Sequence, residues 1–292
     1  MKNRGNKLSV VLATRNEEKN IGRCLDAVRD IADEFVIFDE ESKDKTREIA
    51  RKYGAKVYKT KHEPVFHVTK QKAIEKATGD WILQLDADEV VTPELAREID
   101  KVINLTDEKI KARKPKDGKK WKLFQRHQGV VEERDGKLGK CTGEVVAFWI
   151  PRKTYFLGEP MTHAGVYPDA VIRLIKKGKA RLPEKSVHEQ MEIDGEVAWL
   201  FGDLEHHNSP TLSRYVARMN LYTDQYARDF KKQKLPKNLL YFIHYSTLKP
   251  LLFFLKLYIR HKGFMDGMHG YMWCLMSAMH FPIGYYKYWI SY

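Results

Sequence analysis

The chain has 292 residues, enough to bury a sizeable core in one large domain or two small ones. Its 43% hydrophobic, 12% aromatic and 31% charged composition excludes a disordered chain and an ordinary polytopic membrane protein. Lys and Arg number 52 against 39 Asp and Glu, a net charge of +13, which calls for an anionic partner: phosphate-bearing substrate, acidic lipid surface or nucleic acid. Cys24, Cys141 and Cys274 lie far apart and form no C-x-x-C pair, so neither a disulfide framework nor a zinc knuckle is expected, and a reducing compartment fits. The apolar stretch over 8–13 is too short, and interrupted by Ser9, to be a signal peptide; it reads as a first strand.

From that strand onward, strand and helix alternate for about a hundred residues. Asn16 is placed to cap a helix carrying Ile21, Cys24, Leu25 and Val28 at the spacing of one buried stripe. Residues 35–38 form a second strand, apolar on both faces like a central parallel strand. Ser42 or Asp44 starts the next helix, and Gly54 ends it. A short third strand over 56–58 and a helix over 68–77 lead into an apolar strand over 81–85, which stops on Asp86-Ala87-Asp88. Strands separated by helices imply a parallel, Rossmann-like sheet.

Two later regions differ. Over 109–122, eight of fourteen residues are Lys or Arg and one is Asp, with Pro115 and Gly118 inside, which reads as a mobile basic loop or arm. From 231 to 292, 62 residues hold 15 of the 34 aromatics and nine Lys or Arg against the single acid Asp266. The longest stretch there without Asp, Glu, Lys or Arg, 267–286, contains His269, Gly270, His280 and Pro282 and is a poor spanning helix. Basic residues mixed with Trp, Tyr and Phe suit helices lying in a membrane interface; helices covering the core or a homodimer surface are the alternative.

The chemistry concentrates at the strand ends, where ligands bind in open α/β sheets. Two carboxylates on the turn after the 81–85 strand can converge on one cation, although such pairs also cap helices or face water. Asp39 closes the second strand, where its carboxylate can accept hydrogen bonds from a ligand.

The ordered blocks Val10-Val11-Leu12-Ala13-Thr14-Arg15-Asn16-Glu17-Glu18, Phe35-Val36-Ile37-Phe38-Asp39-Glu40-Glu41-Ser42 and Ala77-Thr78-Gly79-Asp80-Trp81 through Asp88-Glu89 resemble the family 2 glycosyltransferases. Later blocks are similar to a narrower branch, the bacterial lipopolysaccharide core-type glucosyltransferases and their relatives in envelope glycan assembly. Those blocks include Ile150-Pro151-Arg152-Lys153, His163-Ala164-Gly165, Val187-His188-Glu189, Gly202-Asp203-Leu204-Glu205-His206 and Gly263-Phe264-Met265-Asp266-Gly267. The resemblance spans nearly the whole chain except about 106–145.

It implies a GT-A fold: a Rossmann-like, mostly parallel α/β sheet flanked by helices, followed by a C-terminal aromatic-rich helical segment. The implied organisation is a nucleotide-sugar-binding half over 1–105, a basic insertion over 106–145, an acceptor-side half over 146–230 and membrane-surface or oligomerisation helices over 231–292. By resemblance Thr14 and Glu17 line the donor pocket and Asp39 reads uracil, so the donor is a UDP-sugar. Asp86 points toward ribose or metal, and Asp88 binds Mg²⁺ or Mn²⁺, a hard cation that offsets the charge of the leaving diphosphate. Inverting transfer needs a base near the acceptor hydroxyl. Glu189 is assigned that role because the branch places its block on the acceptor side, with Asp169 in reserve. His188 orients Glu189 or meets phosphate, and His206 is a metal or phosphate ligand. Arg173 contacts diphosphate or forms a salt bridge, and Asp44 caps a helix rather than touching ligand.

Two departures stand out: Glu41 replaces a tight-turn Gly, which implies a different loop geometry, and Gln71 replaces the usual Asn in the block Lys70-Gln71-Lys72-Ala73. The expected activity is sugar transfer to a lipid-linked or envelope glycan on the cytoplasmic face of the membrane, to which the protein attaches peripherally. A synthase that loads sugar onto polyprenyl phosphate would need a basic phosphate-accepting site and no Glu189. A nucleotidyltransferase would share the Asp-x-Asp and metal but release pyrophosphate. A nucleic-acid binder would explain the charge but leave the strand-end acids repelling phosphate.

Overall fold

Strand β1 (Leu8–Thr14) is buried along its whole length, as a sequence with Val10, Val11 and Leu12 in succession requires of a central strand. The structure, a computed structural model, describes residues 5–115, 117–183 and 190–291. Two units are distinguished: Met1–Arg152 with Pro168–His206, and Lys153–Tyr167 with His207–Tyr292.

The first unit opens with β1, α1 (Ile21–Asp26), β2 (Glu34–Glu40), α2 (Thr46–Lys52), β3 (Lys56–Thr60), α3 (Phe66–Lys76) and β4 (Trp81–Leu85). It continues through β5 (Glu89–Val91), α4 (Pro93–Val102), α5 (Asp107–Lys111), α6 (Gly118–Asp135) and β6 (Val145–Ile150). Strand β7 (Arg152–Phe156) leaves this unit after its first residue and is followed by β8 (Glu159–Pro160). The first unit resumes with β9 (Val171–Lys176), β10 (Ala180–Arg181), β11 (Glu192–Ile193), β12 (Glu196–Trp199) and the first half of β13 (Leu204–Ser209). A seven-stranded sheet runs in the order β12-β6-β9-β4-β1-β2-β3. Strands β4, β1, β2 and β3 are mutually parallel, and β9 is antiparallel to both β4 and β6. The core packs Leu8, Val10, Leu12, Ile37 and Leu83 against Ile21, Cys24 and Leu25 of α1 and Leu95, Ile99 and Val102 of α4. Thr92 caps α4 through a side-chain bond to the Leu95 N–H, with Pro93 at the first helical position. Gly79 has a packing reason: a Cβ there would meet the Ser9 backbone N at 2.8 Å and the Lys7 carbonyl oxygen at 2.9 Å.

Several local expectations are corrected. Asn16 does not cap α1, which begins at Ile21. It adopts a left-handed backbone (φ 56°), donates its N–H to the Ser42 hydroxyl and accepts the Lys43 N–H on its side chain, tying the β1 and β2 loops together. Helix α2 starts at Thr46, and Asp44 serves its N-terminus by accepting from the Thr46 N–H and hydroxyl. Glu41 adopts a left-handed backbone (φ 53°), which glycine takes without a Cβ penalty, so the turn carries backbone strain. The 109–122 segment is not a free arm. Pro115 and Gly118 punctuate two helices, Asp117 caps α6, and Phe124 of α6 is buried and stacked on Trp199 at 4.8 Å. Phe124 and Val131, which lie beyond the basic run, are the buried residues that anchor the helix.

The second unit is mostly helical. Helix α7 (Leu212–Lys232) buries Tyr215, Met219, Thr223, Ala227 and Phe230. A continuous helical stretch then comprises α8 (Leu239–Ile243), a π-helical segment (His244–Leu248), α9 (Lys249–Leu255) and a second π-helical segment (Lys256–Arg260). A short 3-10 turn (Gly263–Asp266) precedes α10 (Gly267–Ser291), which runs on through Pro282. One apolar cluster joins Phe156, Met161 and Ala164 to Tyr215, Met219 and Cys274; a second joins Ala227, Phe230, Tyr245, Tyr285 and Tyr288. Among the described residues, no helix is long and apolar enough to cross a membrane.

Candidate active site

The parallel register places Thr14 beside Asp39 and Leu12 beside Leu85, so the C-terminal ends of β1, β2 and β4 lie side by side. Asp39 is fully buried. One of its oxygens accepts from the Ser42 N–H (3.0 Å) and Arg47 (2.8 Å), the other from the hydroxyls of Ser42 (2.5 Å) and Thr14 (3.2 Å). A carboxylate has about four acceptor sites, so reading a base through Asp39 requires one of these donors to give way. Glu17 lies in the adjoining loop, its N–H bonded to the Thr46 hydroxyl and its carboxylate to Asn20.

Beyond β4 the chain turns tightly. The Glu89 N–H donates to the Asp86 carbonyl (2.9 Å), while the Glu89 carboxylate accepts the Asp86 N–H (2.9 Å). Asp86 lies between two cations, with Lys70 Nζ at 2.5 Å from one oxygen and Arg173 Nη2 at 2.6 Å from the other. Arg173 also donates to Glu89 (2.9 Å) and to Gln84, and Arg152 bonds Glu89 (3.3 Å) and Asp169 (2.5 Å). The antiparallel register of β9 against β4 pairs Leu174 with Leu83, which brings Arg173 to this turn. Burial opposes the charge on Asp86, but Arg173 and Lys70 outweigh it and hold the carboxyl well below the usual carboxylate range. Burial likewise opposes the charge on Arg173, and Asp86 and Glu89 overcome it, pushing the guanidinium above its ordinary value. Cys24 donates to the Asp86 carbonyl (3.6 Å), and its thiol is pushed up by burial and then by Glu89 and Asp86, so it stays protonated.

His206 lies opposite Glu89 in the β5–β13 pair, with its Nε2 3.7 Å from Asp88. Among the described residues, no three His, Cys, Asp or Glu side chains gather as a metal site. Asp88 and His206 therefore offer two protein donors, and Asp86 already has two cationic partners. That set fits a cation that completes its shell with phosphate oxygens and water, as Mg²⁺ does in phosphate-transfer sites.

The strand-end residues Thr14, Asp39, Asp86 and Asp88 thus occupy neighbouring strand ends, joined by Arg173 and His206. Asp169 stands at the Arg152 side of the same charge network. Glu189 and His188 lie outside the described residues. His163 belongs to the second unit, where Asp266 holds its Nδ1 at 2.7 Å. Sequence reasoning missed Lys70, Glu89 and Arg152 as members of the cluster, and gave Gln84 no role. Gln84 carried a signal, being the one polar residue in the 81–85 run, and Lys70 and Arg152 lie within blocks already singled out for resemblance. Gln71, the second departure, is buried and accepts the Leu182 N–H (2.9 Å).

Over most of its length the chain is similar to curated bacterial relatives. An uncharacterized glycosyltransferase of Rickettsia typhi is 24% identical across 93% of this chain and 83% of its own length. The lipopolysaccharide core biosynthesis glycosyltransferase LpsC of Rhizobium meliloti is 23% identical across 93% of this chain and 90% of its own. Among solved structures, glucosyl-3-phosphoglycerate synthase from Mycobacterium tuberculosis, in complex with Mn²⁺ and UDP, is 23% identical over 34% of this chain and 40% of that one, with a TM-score of 0.31. The family model described as glycosyl transferase family 2 matches residues 9–156, which contain Thr14, Asp39, Asp86 and Asp88. With that match and its mostly parallel sheet, the chain has the GT-A fold and belongs to glycosyl transferase family 2.

Proposed function

We propose that the protein transfers a sugar from a UDP-sugar to a lipid-linked or cell-envelope glycan, with inversion at the anomeric carbon. The observation that carries this reading is the turn after β4, where Asp86 is fixed between Lys70 and Arg173 while Asp88 faces His206. In this reading the uridine lies over Thr14, Glu17 and Asp39, and the diphosphate over the Asp86–Asp88 turn. Asp88 and His206 hold Mg²⁺ or Mn²⁺ there, with Asp86 nearby. The bound cation supplies charge stabilisation to the departing diphosphate. Fixed donors and cations add to it without reorganising as charge develops. The acceptor oxygen forms its bond to the anomeric carbon as the bond from that carbon to the phosphate oxygen breaks. The electron pair leaves with UDP, and the acceptor proton passes to Glu189. Asp169 is the alternative base, although Arg152 holds one of its oxygens at 2.5 Å.

The same reading places the protein on the cytoplasmic face of the membrane, held by the stretch from α8 to Arg260. Leu240, Leu248, Leu251, Leu252, Leu255 and Ile259 are all exposed there, and from Leu248 onward they recur at the three- and four-residue spacing of one helical face. Lys249, Lys256, Arg260 and Lys262 accompany them, the pattern of a helix lying in an anionic interface. Resemblance to LpsC across 93% of the chain supports an envelope acceptor.

The test is Glu189→Gln assayed for UDP release with acceptor present, alongside binding of the donor. Transfer should stop while donor affinity stays within a few-fold. Transfer that persists would move the base to Asp169 or point to direct loading of polyprenyl phosphate, which needs no such base.

A further inference from the structure

The second unit contains a cavity of about 280 Å³ lined by residues of α7, α9 and α10, with Asn208 and Ser209 of β13 also on its wall. Its walls are chiefly aromatic and include Tyr215, Tyr226, Phe253, Trp273 and Phe281. Met219 adds a side chain that adapts to irregular apolar shapes. His280, also on the wall, bonds the Met276 carbonyl (3.0 Å), and burial pushes its pKa down, which keeps the ring neutral.

The cations at this cavity differ from those of the donor site. Arg218, on its lining, donates to the Asn208 carbonyl and the Tyr222 hydroxyl, both at 3.2 Å, and lies over the Tyr222 ring. Lys249 stands 4.9 Å over the Phe281 ring and 4.4 Å over Tyr245. Neither has a carboxylate partner among the described residues. A cation resting on a ring keeps its full charge available to an anion, whereas one paired with a carboxylate does not. Phe253 also joins the cavity to the surface: it lies on α9 beside the exposed Leu251 and Leu252. An apolar chamber, two unneutralised cations and an exposed aliphatic face on one helix together match an amphiphile with a negative head.

We infer that this cavity takes the hydrocarbon chain of an anionic phospholipid drawn from the bilayer, with Arg218 and Lys249 meeting its phosphate. This rests on the membrane-surface reading above and adds to it: the unit would draw out a lipid chain as well as lie on the surface. A seated chain would fix depth and rotation on the membrane more tightly than a flat apolar face can.

Trp273 provides the test, because it lines the cavity and bromine on an acyl chain quenches indole at close contact. The full chain is mixed with phosphatidylglycerol vesicles whose acyl chains are brominated, and sedimentation and tryptophan emission are read together. Wild type should sediment and be quenched. Trp273→Phe should sediment equally but lose most of the quenchable emission, whereas Trp289→Phe, which alters a surface tryptophan, should keep it. Ser277→Phe, which fills the cavity, should sediment yet protect Trp273, and Arg218→Gln should need several-fold more anionic lipid for the same quenching. Sedimentation with Trp273 unquenched would overturn the cavity assignment and leave surface docking intact. Failure to sediment would overturn both, and equal quenching by brominated phosphatidylcholine would overturn the role given to the two cations.

Discussion

The candidate donor site of the first unit and the aromatic helices of the second differ in how most of their cations are partnered, although Lys70 of the first also lies over the Phe66 ring. In the first, the cations at the strand ends are matched to carboxylates: Lys70 and Arg173 to Asp86, Arg152 to Glu89 and Asp169, Arg47 to Asp39. In the second, Lys287 pairs with Asp224, but Arg218, Lys237 and Lys249 lie over Tyr222, Tyr288 and Tyr245. Carboxylate partners fix a buried cation in one geometry, which suits a site that must present the same field to every donor molecule. Aromatic partners leave the charge on offer, which suits a surface that meets anions. The net charge of +13, uninformative as a total, thus divides into an internally balanced part and an available part.

The sharpest way to break that contrast is to remove one balanced cation. Arg173→Met leaves the buried Glu89 and Asp86 short of a partner and should destabilise the protein by about 3–5 kcal/mol, measured by urea unfolding. A loss below about 1 kcal/mol would mean the cluster relaxes and is not a rigid cradle. Next in size, Leu251→Asp with Leu252→Asp should weaken sedimentation with anionic vesicles at least about tenfold, since each leucine contributes roughly 1.5–3 kcal/mol when buried. Nucleotide binding by the first unit should not change in that variant.

A smaller effect concerns Glu34, which bonds Ser9, Thr78 and Lys56. Burial opposes its charge, but the Ser9 hydroxyl, the Thr78 N–H and Lys56 bring its pKa down to about 2. A carboxylate depressed in the folded state adds stability above its unfolded pKa and loses it as pH falls through the folded one. Unfolding free energy should therefore fall between the ordinary carboxylate range and about pH 2, and Glu34→Gln should flatten that limb. The smallest effect is expected at Glu41, where glycine would relieve the left-handed backbone at some cost in chain entropy. Glu41→Gly should stabilise by no more than about 1 kcal/mol in thermal unfolding.

Much of the first unit was legible because hydrophobic runs and punctuation are local. The 81–85 strand is legible to the residue and sets Asp86 and Asp88 on the turn after it, whereas β2 runs on to Glu40 and so includes Asp39. The partners of Asp86 were not legible, since Arg173 reaches it across 87 residues through strand register, a tertiary fact. Asn16 misled because its side chain suits either a helix cap or a left-handed turn, and the Ser42 and Lys43 contacts that decide between them come from the next loop. The basic segment misled for another reason: composition over fourteen residues outweighed Phe124 and Val131, which fall just beyond them.

The central claim is that Asp88, facing His206 beside the Lys70–Asp86–Arg173 cluster, holds a metal–diphosphate unit. Calorimetric titration of UDP into wild type and Asp88→Ala, each with and without Mn²⁺, tests it most directly. The account predicts binding in wild type that strengthens at least about tenfold with Mn²⁺, the equivalent of 1.4 kcal/mol, and no metal effect in Asp88→Ala. UDP binding equally well without metal, or a metal effect that survives Asp88→Ala, would contradict it.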